Sequence, residues 1–165
     1  MPSPDNAFPQ IPMGPYERHK SEISLLMSHF FIGYLRDLYH HFDGDLALVI
    51  VLGEIAHHNT ADHFSVQAGA HPDLTEQLTS DESLRKKLPT CNAYSLAAAT
   101  GMPRETIRRK IATLEKLGWV ERAERKEVRI TSKVGEHFQL DFNLSLLSEL
   151  FKTVDRIRGL LSTST

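Results

Sequence analysis

Apolar residues recur at helical spacing over much of the chain. The clearest case lies between residues 104 and 117, where successive apolar positions are separated by four, three and three residues. Such intervals place side chains on one side of a helix with 3.6 residues per turn. The positions are Ile107, Ile111, Leu114 and Leu117. The pattern predicts an amphipathic helix that packs on a core through this side.

The preceding segment has the composition of a shorter helix over residues 94–99. Three alanines follow Leu96, and both residue types favour helix. Gly101 can adopt the left-handed backbone that ends a helix, Met102 supplies an apolar plug, and Pro103 suits the first position of the next helix. Two helices joined by so short a turn cross steeply, which is the helix-turn-helix geometry.

Two stretches of alternating side-chain character follow Gly118, which is expected to end the long helix. They cover residues 119–122 and 127–131, and the charged run 123–126 lies between them. Alternation is typical of half-buried strands. The pattern therefore predicts a two-stranded hairpin with a charged tip.

The order and spacing of these elements resemble the winged helix-turn-helix of bacterial transcriptional regulators, in particular the multiple-antibiotic-resistance-type (MarR-like) regulators. The matching residues are Leu96, Ala97, Gly101, Thr106, Ile107, residues 114–120 and Arg122. Residues 106–108 are also similar to the recognition helix of gluconate-operon-type regulators, whose effector domain would need more chain than follows here. The subfamily therefore stays open.

This resemblance implies a mainly α fold: a winged helix-turn-helix with a two-stranded β wing, flanked by long N- and C-terminal dimerisation helices. It also implies a homodimer that binds double-stranded DNA at a pseudo-palindromic operator and regulates transcription, as a repressor or an activator. A small-molecule effector in a cleft between the dimer helices and the DNA-binding heads is left open.

Polar residues occupy the side of the long helix opposite its apolar stripe. Three adjacent cations, at positions 108–110, are of the types that phosphates and guanine edges attract. The periodicity and the resemblance together predict that Arg104, Thr106, Arg108, Arg109 and Thr113 face the major groove. Arg122, Arg125 and Lys126 of the hairpin are expected to contact phosphate or the minor groove.

The charge of the chain is unevenly distributed. Its formal net charge of −2 at pH 7 does not by itself favour a nucleic-acid partner. Residues 93–133, however, hold ten Lys and Arg against five Glu, or +5, and the remainder holds nine against sixteen, or −7. Cations are thus concentrated where DNA would lie. The alternative is a winged helix that docks proteins without DNA, but such a surface more often exposes apolar residues.

Long helices suited to dimerisation are predicted near both ends of the chain. The first, over residues 17–39, has a wide apolar face. Its members are Ile23, Leu26, Met27, Phe30, Phe31, Tyr34, Leu35 and Leu38. The last, over residues 143–161 with Asn143 as its cap, has a heptad-type seam. The seam consists of Leu147, Leu150, Val154, Ile157 and Leu161.

The remaining elements complete a single predicted domain over residues 17–165. A Pro-rich tail covers residues 1–16, and helices occupy 17–58, the winged helix-turn-helix 90–133 and the dimerisation helix 143–161. Within 17–58, a nearly all-apolar helix over residues 46–57 is capped by 43–45, with a buried strand at 49–51 as the alternative. Short helices are expected at 81–88 and, capped by Ser132, at 133–138.

Several histidines and one aspartate lie close together in the sequence, at the end of the apolar helix and after it. His57, His58, Asp62, His63 and His71 could ligate a metal ion, but their spacing is also that of a polar loop, and no metal site is predicted.

Cys91, the only cysteine, excludes an intrachain disulfide. It is either a redox sensor, with its thiol pKa lowered by the following helix, or a small buried filler.

Motifs for catalysis are not found: there is no glycine-rich phosphate loop, nucleophile elbow or HExxH spacing. We expect no enzyme activity and no cofactor. The N-terminus lacks the pattern of a secretory signal, and the longest apolar run, residues 46–52, is too short to cross a membrane. A cytoplasmic protein without a membrane partner is expected.

Overall fold

The computed structural model of the chain describes residues 11–61, 82, 86–138 and 141–162. Within these ranges the protein is mainly helical, with one two-stranded antiparallel sheet. The helices are α1 (Met13–His41), α2 (Leu46–Thr60), α3 (Ala93–Thr100), α4 (Arg104–Leu117), α5 (Ser132–Phe138) and α6 (Asp141–Ser162). The strands are β1 (Val120–Arg122) and β2 (Val128–Ile130). The predicted mainly α class with a two-stranded hairpin is confirmed.

The chain divides into two compact units. The terminal unit consists of residues 1–37 and 142–165, and so holds most of α1 and of α6. The central unit consists of residues 38–141 and holds α2, α3, α4, the hairpin and α5. Half of the predicted helix over residues 81–88 lies outside the described residues. Residue 82 is helical, whereas residues 86–88 form a turn and a bend, so the helix does not reach its predicted end.

The core of the central unit is built from α2, α3, α4 and the hairpin. Several side chains from these elements are fully enclosed: Val51, Ile55, Leu96, Ile107, Leu114 and Val128. Apolar residues nearly all round α2 fit this central position, since a helix that is hydrophobic on every side is a buried one. Residues 49–51 lie within α2, so the strand alternative for them is wrong.

The predicted core stripe of α4 is confirmed in three of its four members. Ile107, Ile111 and Leu114 are buried, whereas Leu117 is 46% exposed. At 100° per residue, Leu117 is rotated roughly 80° from Ile107 around the helix, and so lies beside the stripe. It is also the last residue of α4, where Gly118 turns the chain away with a φ of 74°.

Asn59 joins three segments of the central unit. Its side chain is fully buried. The Nδ2 group donates to the Pro89 carbonyl at 2.6 Å, and Oδ1 accepts from the Ile130 amide at 2.8 Å. Cys91 and Val128 form a further antiparallel bridge, with amide-to-carbonyl distances of 3.2 and 2.7 Å. Residues 89–91 are thus fixed between α2 and β2.

Several helix boundaries differ from the predicted ones, and Ser132, predicted as a cap, is the first residue of α5. Helix α1 begins at Met13, inside the predicted tail, because Pro15 lies in the first turn, where its missing N–H would have no helical partner. Helix α2 continues to Thr60, whose hydroxyl donates to the Ala56 carbonyl at 2.8 Å. Helix α6 begins at Asp141, so Asn143 lies within it and is not its cap.

In the terminal unit, α1 and α6 contact each other through a pair of aromatic rings. The rings of Tyr34 and Phe142 lie 6.1 Å apart, and Ile23 is buried. Much of the remaining apolar surface is open: Leu25 is 71% exposed and Phe151 59%. Even so, none of the described helices combines the length and apolar content that a membrane crossing needs.

Candidate nucleic-acid interface

The turn between α3 and α4 is fixed at both ends. Asn92 caps α3, and its Oδ1 accepts from the amides of Tyr94 and Ser95 at 2.9 and 3.1 Å. The Ser95 hydroxyl closes a reciprocal capping box with the Asn92 backbone. Gly101 ends α3 with a φ of 70°, as predicted, and Pro103 occupies the cap position immediately before α4. The direction of α4 relative to α3 is therefore set by local bonds.

The outer side of α4 carries the residues predicted to face DNA. Arg104, Arg108, Arg109 and Thr113 are exposed, and Thr106 is half-buried. The Thr113 hydroxyl donates to the Arg109 carbonyl at 3.1 Å. Because Ile107, Ile111 and Leu114 are enclosed in the core, this side cannot rotate inward without exposing them.

Lys110 is adjacent to Arg109 in the sequence, but it forms an ion pair inside the central unit. Its ammonium group lies 2.5 Å from the Asp45 carboxylate, at the cap of α2. Burial alone would raise the pKa of Asp45, but the hydrogen bonds from Lys110 and from the Leu48 amide outweigh burial and hold the pKa below its ordinary value. Lys110 therefore ties α4 to α2.

The hairpin is braced against α4 by Arg122. Its guanidinium makes two hydrogen bonds with the Glu115 carboxylate, at 2.6 and 2.8 Å. Nη1 also donates to the Lys126 carbonyl at 3.4 Å. A bidentate pair of this kind fixes geometry as well as charge. Of the three predicted hairpin cations, Arg122 is therefore the one already engaged within the protein.

The tip of the hairpin presents Arg125 and Lys126. Both are exposed, and both have a left-handed backbone, with φ of 53° and 67°. Arg129 is counted in the regional charge of +5, but its side chain is buried. It pairs with Glu121 at 2.8 Å. The alternation predicted for β2 fails at this residue, because Arg129 is buried like its neighbours Val128 and Ile130.

These elements enclose an open groove of about 790 Å³ between the start of α3, the outer side of α4 and the hairpin tip. Six cations line it: Arg104, Arg108, Arg109, Arg122, Arg125 and Lys126. Among the described residues its only lining carboxylate is Glu105, 3.7 Å from Arg108. Six of the eight predicted site residues thus share one positively charged surface; Thr106 and Thr113 are not among its lining residues.

Tyr94, predicted from the sequence only as the first residue of a helix, also belongs to this surface. It is 70% exposed and borders the groove. The Arg104 guanidinium carbon lies 5.8 Å from the centre of its ring, within the range of a cation–π contact. An available signal was its position in the alanine-rich helix: two residues before Leu96, it falls on the opposite side from the core.

Two other sequence hypotheses bear on sites elsewhere. His57 is exposed and His58 half-buried, while Asp62, His63 and His71 lie outside the described residues. The described part of the chain brings together no group of three or more His, Cys, Asp or Glu side chains suited to a metal ion.

Cys91 is buried, and its pKa is raised to about 12, by burial first and then by the charges of Glu127 and Glu54. The hypothesis of a thiol pKa lowered by the helix is wrong, since desolvation and two carboxylates act against the thiolate.

Comparisons with protein families, with curated proteins and with solved structures gave no match for this chain.

Proposed function

We propose that this protein is a sequence-specific DNA-binding transcriptional regulator that acts as a homodimer. In this proposal α3, α4 and the hairpin form a winged helix-turn-helix, similar to that of MarR-like regulators. Helix α4 enters the major groove, and the hairpin tip follows the adjacent backbone or minor groove.

The observation that carries the proposal is the groove lined by six cations and one carboxylate. Phosphate contacts supply much of the affinity for DNA, and arginine is also the residue that most often recognises guanine. Exposed Arg108 and Arg109 are available for such recognition, while the buried stripe of α4 holds them outward. A docking surface without DNA would call for exposed apolar residues here, and most of the groove's lining side chains are charged.

The homodimer part of the proposal is supported by the exposed apolar side chains of α1 and α6. A two-fold pair of DNA-binding heads would meet half-sites about one DNA turn, roughly 34 Å, apart. The expected operator is therefore pseudo-palindromic.

Selection of bound fragments from random duplex DNA tests the proposal. We expect one enriched motif with two-fold symmetry, and binding that weakens steeply as salt rises. A protein that enriches no motif and ignores duplex DNA at low salt would contradict the proposal and favour a protein-docking module instead.

A further inference from the structure

Arg104 occupies a position that helix stability does not explain. It is the first residue of α4, where the helix dipole is positive and a cation is locally unfavourable. Glu105 is the acidic residue of that first turn, but its carboxylate lies 3.7 Å from Arg108. Arg104 therefore goes against the charge preference of a helix N-terminus, and it does so at the edge of the charged groove. Functional residues are where such local preferences are expected to be broken.

The ring of Tyr94 supplies a partner for this cation. The ring face carries partial negative charge, and the Arg104 guanidinium lies 5.8 Å from its centre. The backbone that carries the ring is fixed, because Tyr94 lies in the first turn of α3 and its amide donates to the Asn92 cap at 2.9 Å. An aromatic ring on a capped backbone therefore lies beside a long side chain.

We propose that Tyr94 is a positioning residue for Arg104, and that it holds the guanidinium where it contacts a DNA phosphate beside α4. This inference rests on the proposed function. An arginine already held by a ring loses less side-chain freedom when it binds phosphate than a freely rotating one. The ring does the positioning, and the tyrosine hydroxyl is not required.

The first test needs no DNA and compares Tyr94→Phe, which keeps the ring, with Tyr94→Leu, which removes it. Protons of the Arg104 side chain near an aromatic face should show ring-current-shifted NMR signals. We expect these shifts in the wild type and in Tyr94→Phe, and their loss in Tyr94→Leu. Identical Arg104 shifts in all three proteins would overturn the positioning. Since Tyr94 is largely exposed, both variants should fold, and circular dichroism checks this.

The second test measures affinity for the selected operator in a double-mutant cycle with Arg104→Ala. Tyr94→Leu should weaken binding roughly two- to five-fold, as expected for loss of an exposed cation–π contact, and Tyr94→Phe should bind like the wild type. In the Arg104→Ala background both changes should have no effect, since the group to be positioned is gone.

The salt dependence adds a readout that a merely structural role would not move. Arg104→Ala should lower the slope of log affinity against log salt by about 0.9. Tyr94→Leu should also lower it, although it removes no charge. Equal losses of operator affinity in Tyr94→Phe and Tyr94→Leu would indicate a contact by the tyrosine hydroxyl and overturn the proposal. If the wild type ignores duplex DNA, the proposed function fails, and the NMR comparison alone decides whether the ring positions Arg104.

Discussion

The two units of the protein differ in how they use apolar residues. Among the described residues, all the buried apolar side chains except Ile23 belong to the central unit. Most of the large exposed ones belong to the terminal unit, on both α1 and α6. The central unit closes a core of its own and turns charge outward, whereas the terminal unit leaves apolar surface uncovered.

This difference separates two tasks. Large apolar surfaces that stay open mark sites of association, whereas charged grooves on a closed core suit a polar ligand. We therefore expect substitutions in the terminal unit to change assembly and substitutions on the outer side of α4 to change DNA binding. The following experiments test this division.

The largest effect is expected from charges in the predicted seam of α6. Leu150→Glu combined with Ile157→Glu should convert the proposed homodimer to monomer at micromolar concentration, because each leucine-sized side chain buried in the dimer would contribute roughly 1.5 to 3 kcal/mol. Sedimentation velocity measures the change. Ser145→Glu, on the opposite side of the same helix, is the control and should leave the dimer intact. A wild type that is already a monomer at this concentration would contradict the prediction.

Asn59→Leu should affect the central unit alone. It removes the partners of the Pro89 carbonyl and the Ile130 amide, and each polar group left buried and unsatisfied costs about 1 to 3 kcal/mol. Urea unfolding should show this loss of free energy, while sedimentation of the folded protein is unchanged. His57→Ala, at an exposed position of the same helix, is the control. A loss of less than about 0.5 kcal/mol would show that the two hydrogen bonds of Asn59 do not stabilise the joined segments.

Arg109→Ala should weaken operator binding by about 1 to 3 kcal/mol if Arg109 pairs with a guanine edge, and should relax preference at one position per half-site. Arg125→Ala should instead weaken binding to all sequences alike and lower the salt slope by about 0.9. Fluorescence titration on operator and scrambled DNA separates the two. Lys116→Ala, exposed on α4 but outside the groove, should leave sequence preference intact. An unchanged preference in Arg109→Ala would contradict the assignment.

The smallest effect concerns the link between α2 and α4. Asp45→Asn keeps a capping side chain but removes the ion pair with Lys110, at a cost of about 0.2 to 1 kcal/mol at pH 7. Because the pKa of Asp45 is lowered in the folded protein, this contribution is present above the ordinary pKa of 3.8 and is lost as pH falls through the folded-state value. Unfolding curves of the two proteins should therefore converge at low pH. A gap that persists there would exclude the ion pair as its cause.

The sequence predicted best what depends on neighbours along the chain. The α4 stripe at Ile107, Ile111 and Leu114 follows from helical period, and the ends at Gly101 and Gly118 follow from the left-handed conformation that glycine adopts easily. Leu117 failed because the stripe was extended to the last turn without allowing for rotation.

What the sequence could not predict depends on contacts across long separations. Asn59 meets residues 30 and 71 positions away, and Lys110 meets Asp45 from 65 positions away. Neither partner can be chosen from local spacing. The buried state of Cys91 likewise depends on its bridge to Val128, a pairing that no nearby pattern indicates. For the candidate site, charge and periodicity located the cations, but the bracing of Arg122 by Glu115 required the folded hairpin.

The left-handed backbone at Arg125 and Lys126 predicts a trade-off between heat resistance and the proposed DNA binding. Asparagine adopts this conformation more readily than lysine, whose left-handed form costs roughly 1 to 2 kcal/mol. Lys126→Asn should therefore raise the melting temperature of the central unit while it weakens DNA binding at every sequence. Laboratory evolution for thermal tolerance alone would discard these cations, and only a simultaneous requirement for binding would retain them. A variant with unchanged melting temperature would show that the turn stores no strain.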